Sequence, residues 1–147
     1  MNMTAMLFLA LGGLLEADPT QDIAKADKNR LQGIWRIERV VEGGEQQKNV
    51  AADLAINGDK LGCRFMLAGL PLATVFTFVL DPRKTPKCID LIHADGHDKG
   101  KTLRGIYQLD RDSLKLCIGD PGGERPIEFK SQPGSKRTLF ILKREKP

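Results

Sequence analysis

A single tryptophan, Trp35, closes the run Leu31-Gln32-Gly33-Ile34-Trp35 and belongs to an alternating stretch over residues 34–41. A glycine two residues before an indole lets the chain turn in tightly at the start of a first strand. The indole itself is large enough to plug one end of a small barrel. Behind it come many short apolar–polar alternations separated by turn residues, the pattern of hairpin-linked strands. A chain of this kind has few ways to fold. Closing the sheet on itself removes the exposed edges that so many short strands otherwise leave.

The alternation can be followed strand by strand. Residues 34–41 set Trp35, Ile37 and Val41 on one face and Arg36 and Glu38 on the other, before the turn Glu42-Gly43-Gly44-Glu45. Leu54 and Ile56 mark a short second strand, and Asn57-Gly58 ahead of Asp59 is a hairpin signal because both residues tolerate positive φ. Residues 60–67 put Leu61, Cys63, Phe65 and Leu67 on one face; residues 73–80 do the same with Phe76, Phe78 and Leu80 until Asp81-Pro82 stops them. Ile89 and Leu91 alternate against Cys88 and Asp90 over residues 88–93. Residues 102–109 and 113–118 form a hairpin across Asp110-Arg111-Asp112. After the loop Gly119-Asp120-Pro121-Gly122-Gly123, residues 127–130 offer one more short strand and residues 137–144 the last. The expected fold is all-β, an up-and-down antiparallel barrel of about eight strands.

Length and composition agree with one such domain. The chain has 147 residues, 41% of them hydrophobic and 29% charged, ordinary for a globular protein and unlike a disordered one. Residues 5–15 form an uncharged run with the length of a signal-peptide core, too short to span a bilayer, and Ala17 offers a small residue for cleavage. The division that follows is a leader over residues 1–17, a linker or short helix over 18–30 and the barrel over 31–147. This points to an exported protein with no transmembrane helix after cleavage, working outside the cytoplasm as a monomer.

The net charge of +4 comes from basic clusters at Arg83-Lys84, at Lys99-Lys101-Arg104 and near both Lys136-Arg137 and Lys143-Arg144. Nucleic-acid platforms interleave such charges with exposed aromatics. Here the phenylalanines sit at core positions, so the basic residues read as solvated faces and no nucleic-acid partner is expected. Three cysteines allow at most one internal disulfide. Cys63 faces inward with Leu61 and Phe65, whereas Cys88 and Cys117 face outward on strands separated by a third, about 9–10 Å apart. Bridging requires Cα atoms within about 7 Å, so three free thiols are expected. No histidine is placed to activate any of them.

One cluster has the composition of a metal site, His93-Ala94-Asp95-Gly96-His97-Asp98. His93, Asp95 and His97 offer three ligands for a zinc-like ion and hence a metal-assisted enzyme as one alternative. The same residues are also ordinary turn chemistry at a strand end. No fourth ligand is fixed, and neither a cofactor loop nor a catalytic triad is present, so no cofactor and no catalytic residues are assigned.

An ordered series of motifs then narrows the reading. Leu31-Gln32-Gly33-Ile34-Trp35 is followed by Leu80-Asp81-Pro82, Pro86-Lys87-Cys88-Ile89-Asp90-Leu91 and Asp95-Gly96. Then come Lys99-Gly100-Lys101-Thr102-Leu103, Gly105-Ile106-Tyr107 and Asp112-Ser113-Leu114-Lys115-Leu116-Cys117. Arg125-Pro126, Glu128-Phe129-Lys130-Ser131 and Leu139-Phe140-Ile141-Leu142-Lys143-Arg144 complete it. This series resembles a lipocalin-like domain family of uncharacterised function, abundant in planctomycete bacteria, over about residues 30–145. The resemblance implies a lipocalin-like barrel and an exported protein, and carries over no catalytic residue.

It also implies a structural trio, in which Gly33 admits the turn, Trp35 plugs the barrel and Arg144 stacks on the indole as a cation–π partner. Lys143, on the opposite face, is the alternative. An eight-stranded barrel either holds one small ligand or is filled by side chains. Phe65, Phe76, Phe78, Tyr107 and Leu116 are the candidate lining of such a ligand site. The expected function is a non-enzymatic binding module for a small apolar ligand or an envelope partner, the alternatives being the metal-assisted enzyme and an interaction domain with a filled core.

Overall fold

The computed structural model describes residues 19–47, 50, 52–67 and 69–146; the expected leader lies outside them. Among the described residues a helix, α1 (Pro19–Leu31), precedes nine strands: β1 (Gly33–Glu42), β2 (Glu45–Gln46), β3 (Ala52–Asn57), β4 (Lys60–Leu67), β5 (Leu70–Asp81), β6 (Lys87–His93), β7 (Thr102–Asp110), β8 (Ser113–Gly119) and β9 (Arg137–Arg144). Each long strand pairs antiparallel with the next, and β1 pairs with both β3 and β9, which closes an eight-stranded barrel. β2 is an extra two-residue strand hydrogen-bonded to β1. The all-β up-and-down barrel expected from the alternation is therefore the fold.

Inward positions follow the period of two. Leu61, Phe76, Phe78, Ile89, Leu91, Leu114, Leu116 and Leu142 are all buried in one core cluster. The exception lies in β1, where a bulge between Ile37 and Arg39 inserts one residue into the pairing with β9. The extra residue reverses the phase of everything after it. Val40, opposite Phe140, therefore turns into the core, and Val41 joins a second cluster outside the barrel with Ile106, Cys117 and Leu139. The expectation that Val41 shares a face with Trp35 and Ile37 is corrected by this one-residue insertion.

That outer cluster is covered by residues 120–136. Residues 127–130 do not form a strand; the segment is a strap laid over β6–β9. Phe129 packs on the Ile106–Cys117–Leu139 group, and Pro126 is fully buried. Arg125 fastens the strap by donating from Nη1 to the carbonyls of Ile89 (3.2 Å) and Gly105 (2.9 Å) and pairing with Asp90 at 2.7 Å. The Gly105 backbone is closely surrounded, since a Cβ there would lie 2.4 Å from Ile118 Cδ1 and 2.8 Å from the Cys117 carbonyl. One of those neighbours is backbone and cannot move aside. Gly105→Ala is accordingly expected to cost about 1–3 kcal/mol, read as a lower urea midpoint at unchanged slope.

Helix α1 is placed by its last turn. Proline at its start, Asp22 in the first turn and Lys28 and Arg30 in the last suit the helix dipole. Among the described residues of the helix Asp27 and Leu31 alone are buried, and Ile23 is 48% exposed. Gln32 ties the helix end to the Asn57-Gly58 hairpin, donating to the carbonyls of Lys28 and Gly58 and accepting from the Gly58 N–H at 2.7 Å.

Candidate functional site

The two ends of the barrel differ. At the end where β1 begins, Trp35 is completely buried, and its Nε1–H donates to the Leu31 carbonyl at 2.8 Å. Gly33 has φ +120°, a value that side-chain-bearing residues rarely adopt, so the tight approach before Trp35 requires glycine. β9 points Thr138, Phe140, Leu142 and Arg144 to one side, and the last reaches over the indole with its guanidinium carbon 4.3 Å from the ring centroid. Arg144 also donates to the carbonyls of Gln32 (2.8 Å) and Arg30 and pairs with Asp112. One side chain thus covers the plug and satisfies carbonyls at the end of α1. Lys143, one residue earlier, instead donates to Ser113 Oγ at 2.7 Å.

A buried polar group completes this end. Asp27, 3% exposed, accepts from the Tyr107 hydroxyl at 2.7 Å and from Lys87 Nζ at 2.9 Å. Burial, and the Asp27 carboxylate accepting its proton, push the Tyr107 phenol far above its usual range. Around it Leu31, Ile56, Phe78, Ile89, Leu114 and Tyr107 leave only about 10 Å³ unfilled. The base of the barrel is solid.

The other end is open. A cavity of about 270 Å³ lies among Leu54, Leu61, Phe76, Leu91, Leu103, Leu116, Ile118 and Phe140. Its mouth carries Cys63, Thr74, His93, Thr138 and the turn Gly119-Asp120-Pro121. The register explains the convergence: Cys63 opposes Thr74, and Phe76 opposes His93, so neighbouring strands bring these groups to one level. The His93 and Phe76 rings lie 4.5 Å apart at an angle of 48°, a tilted aromatic pair in the wall. Burial, then the nearby Asp53 carboxylate, push the Cys63 thiol up to about 11. It is a neutral, weakly polar wall group rather than a nucleophile at pH 7.

The barrel superimposes on the crystal structure of a lipocalin-like protein from Bacteroides uniformis with a TM-score of 0.52 and 14% sequence identity, covering 79% of this chain and 99% of that one. The fold is lipocalin-like. No family model matches the chain, and no curated protein matches it significantly.

Within this lipocalin-like barrel the five expected lining residues divide by depth. Phe76 and Leu116 line the open cavity. Phe78 and Tyr107 pack in the solid base, although Leu116 also reaches down to them. Phe65 lines a separate groove of about 580 Å³ with Arg36, Asp53, Arg64, Met66 and Leu72. Leu103 and Phe140 were not among the candidates, although both occupy inward strand positions from which they could have been found.

His93, Asp95 and His97 do not come together as a ligand set. The His93 ring is stacked in the cavity wall, Asp95 is exposed, and the His97 side chain is 97% exposed and 3.5 Å from Asp98. Among the described residues no three His, Cys, Asp or Glu side chains could share a metal ion. The strand-to-turn transition after His93 sends the later residues outward, so the three side chains do not converge on one point. All three cysteines are free, with Cys88 and Cys117 facing Ile106 from opposite sides in the register. Cys117 lies buried under the strap, and burial raises its thiol above its usual range. No described helix is long and apolar enough to cross a membrane.

Proposed function

We propose that this protein is a non-enzymatic binding module that works outside the cytoplasm and holds a small apolar ligand in the upper half of its barrel. One observation carries the reading: an apolar cavity of about 270 Å³ opens above a base with almost no free space. Ligand pockets start at about 300 Å³ and combine an apolar lining with a few converging polar groups. This cavity is near that lower bound and has the same make-up. Phe76 and Leu116 form its wall and floor, with Leu103 and Phe140 beside them, and the mouth supplies the polar groups. Export is supported by the uncharged run over residues 5–15 and by the motif series resembling the planctomycete lipocalin-like family.

Native mass spectrometry of the protein purified from its own host tests both parts. The expected spectrum shows a chain lacking residues 1–17, accompanied by a non-covalent small-molecule adduct released under gentle activation. The Phe140→Trp variant, which enlarges a side chain on the cavity wall, should lose the adduct while remaining folded. A full-length cytoplasmic chain would end the export reading, and an adduct-free spectrum in every preparation would end the ligand reading.

A further inference from the structure

We propose that the cavity selects a compact, neutral, ring-shaped ligand bearing one hydrogen-bond donor, of the indole or phenol class, and rejects long-chain carboxylates. This rests on the reading of the cavity as a ligand site and specifies what enters it. Size is the first reason. A volume of about 270 Å³ lies at the lower bound of small-molecule pockets, which start at about 300 Å³. That suits one or two fused rings and falls well short of an extended acyl chain. Such a chain has nowhere further to go, because the space beneath is reduced to about 10 Å³ among Leu31, Phe78 and Tyr107.

Shape is the second reason. The tilted Phe76–His93 pair and Phe140 contribute aromatic faces and edges to the same cavity, which favours a flat ring over a flexible chain. Charge is the third. Among the described residues lining the cavity there is no lysine or arginine to neutralise an anionic head, and the Asp120 carboxylate stands at the mouth. A carboxylate ligand meets a like charge there. An N–H or O–H donor instead finds acceptors in Asp120 and the His93 imidazole.

Titration calorimetry of the folded full barrel with indole, 1-methylindole and hexadecanoate separates these claims. Indole should bind about tenfold more tightly than 1-methylindole, the effect of one hydrogen bond, and hexadecanoate should not bind measurably. The penalty for methylation should vanish in the Asp120→Ala/His93→Phe double variant, which keeps an aromatic wall. Thr138→Trp, which obstructs the mouth without touching the buried base, should abolish indole binding at an unchanged melting temperature. Hexadecanoate binding as tightly as indole would overturn this inference and leave the cavity reading standing, as would equal affinities for indole and its methyl derivative. If neither indole nor its methyl derivative binds, this inference fails, while the adduct in the native mass spectrum decides the cavity reading separately.

Discussion

Trp35→Ala should lower the free energy of unfolding by about 3–5 kcal/mol, the largest loss expected from any single truncation in this barrel. The indole is fully buried where β1, α1 and β9 meet, so removing it leaves a void that the surrounding strands cannot close. Two further interactions go with it. The Leu31 carbonyl loses the indole N–H at 2.8 Å, and the Arg144 guanidinium loses the ring 4.3 Å below it. Trp35→Phe separates these contributions, because it keeps a ring under Arg144 and removes only the donor and part of the volume. Its cost should be less than half that of alanine. Arg144→Lys keeps the charge but cannot reproduce the planar fork that reaches Gln32, Arg30 and Asp112 together, so it should be measurably destabilising. Urea midpoints of the four proteins test the ordering; a loss below about 1 kcal/mol for Trp35→Ala would show that the plug contributes little.

The second large effect is expected at Asp27. Asp27→Ala strands the buried Tyr107 hydroxyl, which is more costly than losing an ordinary surface contact. The ion pair with Lys87 adds less, because the lysine side chain is 39% exposed and solvent screens it. Together they should amount to about 2–4 kcal/mol. Tyr107→Phe removes the stranded group, so adding it to Asp27→Ala should recover part of the loss, with a coupling of about 1–2 kcal/mol in a double-mutant cycle. Additive losses would mean that the two side chains do not support each other.

The same contact predicts a pH dependence. The Tyr107 phenol titrates above its ordinary value in the folded protein because of burial and the neighbouring Asp27. A raised folded value means that the unfolded chain gives up this proton first as pH rises. The stabilisation is therefore complete below about pH 10 and is progressively lost above it. Cys63, raised from 9.0 to about 11, acts with the same sign in a lower window. The comparison is best made in a Cys63→Ala background, where Tyr107→Phe should flatten the alkaline decline in melting temperature. An unchanged decline would place its origin elsewhere.

The barrel and its closed end were legible in the sequence for different reasons. Alternation reports whether a side chain points in or out, and that sufficed for Phe76, Phe78 and Leu116; the pairing of Trp35 with Arg144 across β1 and β9 followed only from the resemblance to lipocalin-like barrels. It fails where one residue is inserted, as at Glu38, because the polar pair Glu38-Arg39 hides the change of phase that carries Val40 inward. It also says nothing about depth along the barrel axis. Phe78 and Phe76 carry the same signal, yet one is in the solid base and the other lines the cavity, a difference set by the residues that meet them from other strands.

Asp27 was invisible for another reason. A lone carboxylate on a polar helix looks like a solvated residue until the fold places Tyr107 against it. The strap over residues 120–136 follows no strand or helix period and is held by Arg125 reaching main-chain carbonyls, a contact that no residue spacing encodes. His93 illustrates the converse. Its sequence neighbours Asp95 and His97 turn away from it, and its ring instead meets Phe76 on the adjacent strand.

The barrel interior is divided, solid around the Trp35 plug and open above it. Diffraction from a xenon-pressurised crystal measures that division directly, since xenon enters apolar space large enough to hold it. Xenon should appear among Phe76, Leu116 and Phe140, and none among Leu31, Phe78 and Tyr107. Side chains closed together across the upper half with no xenon between them, or xenon bound in the base, would contradict it.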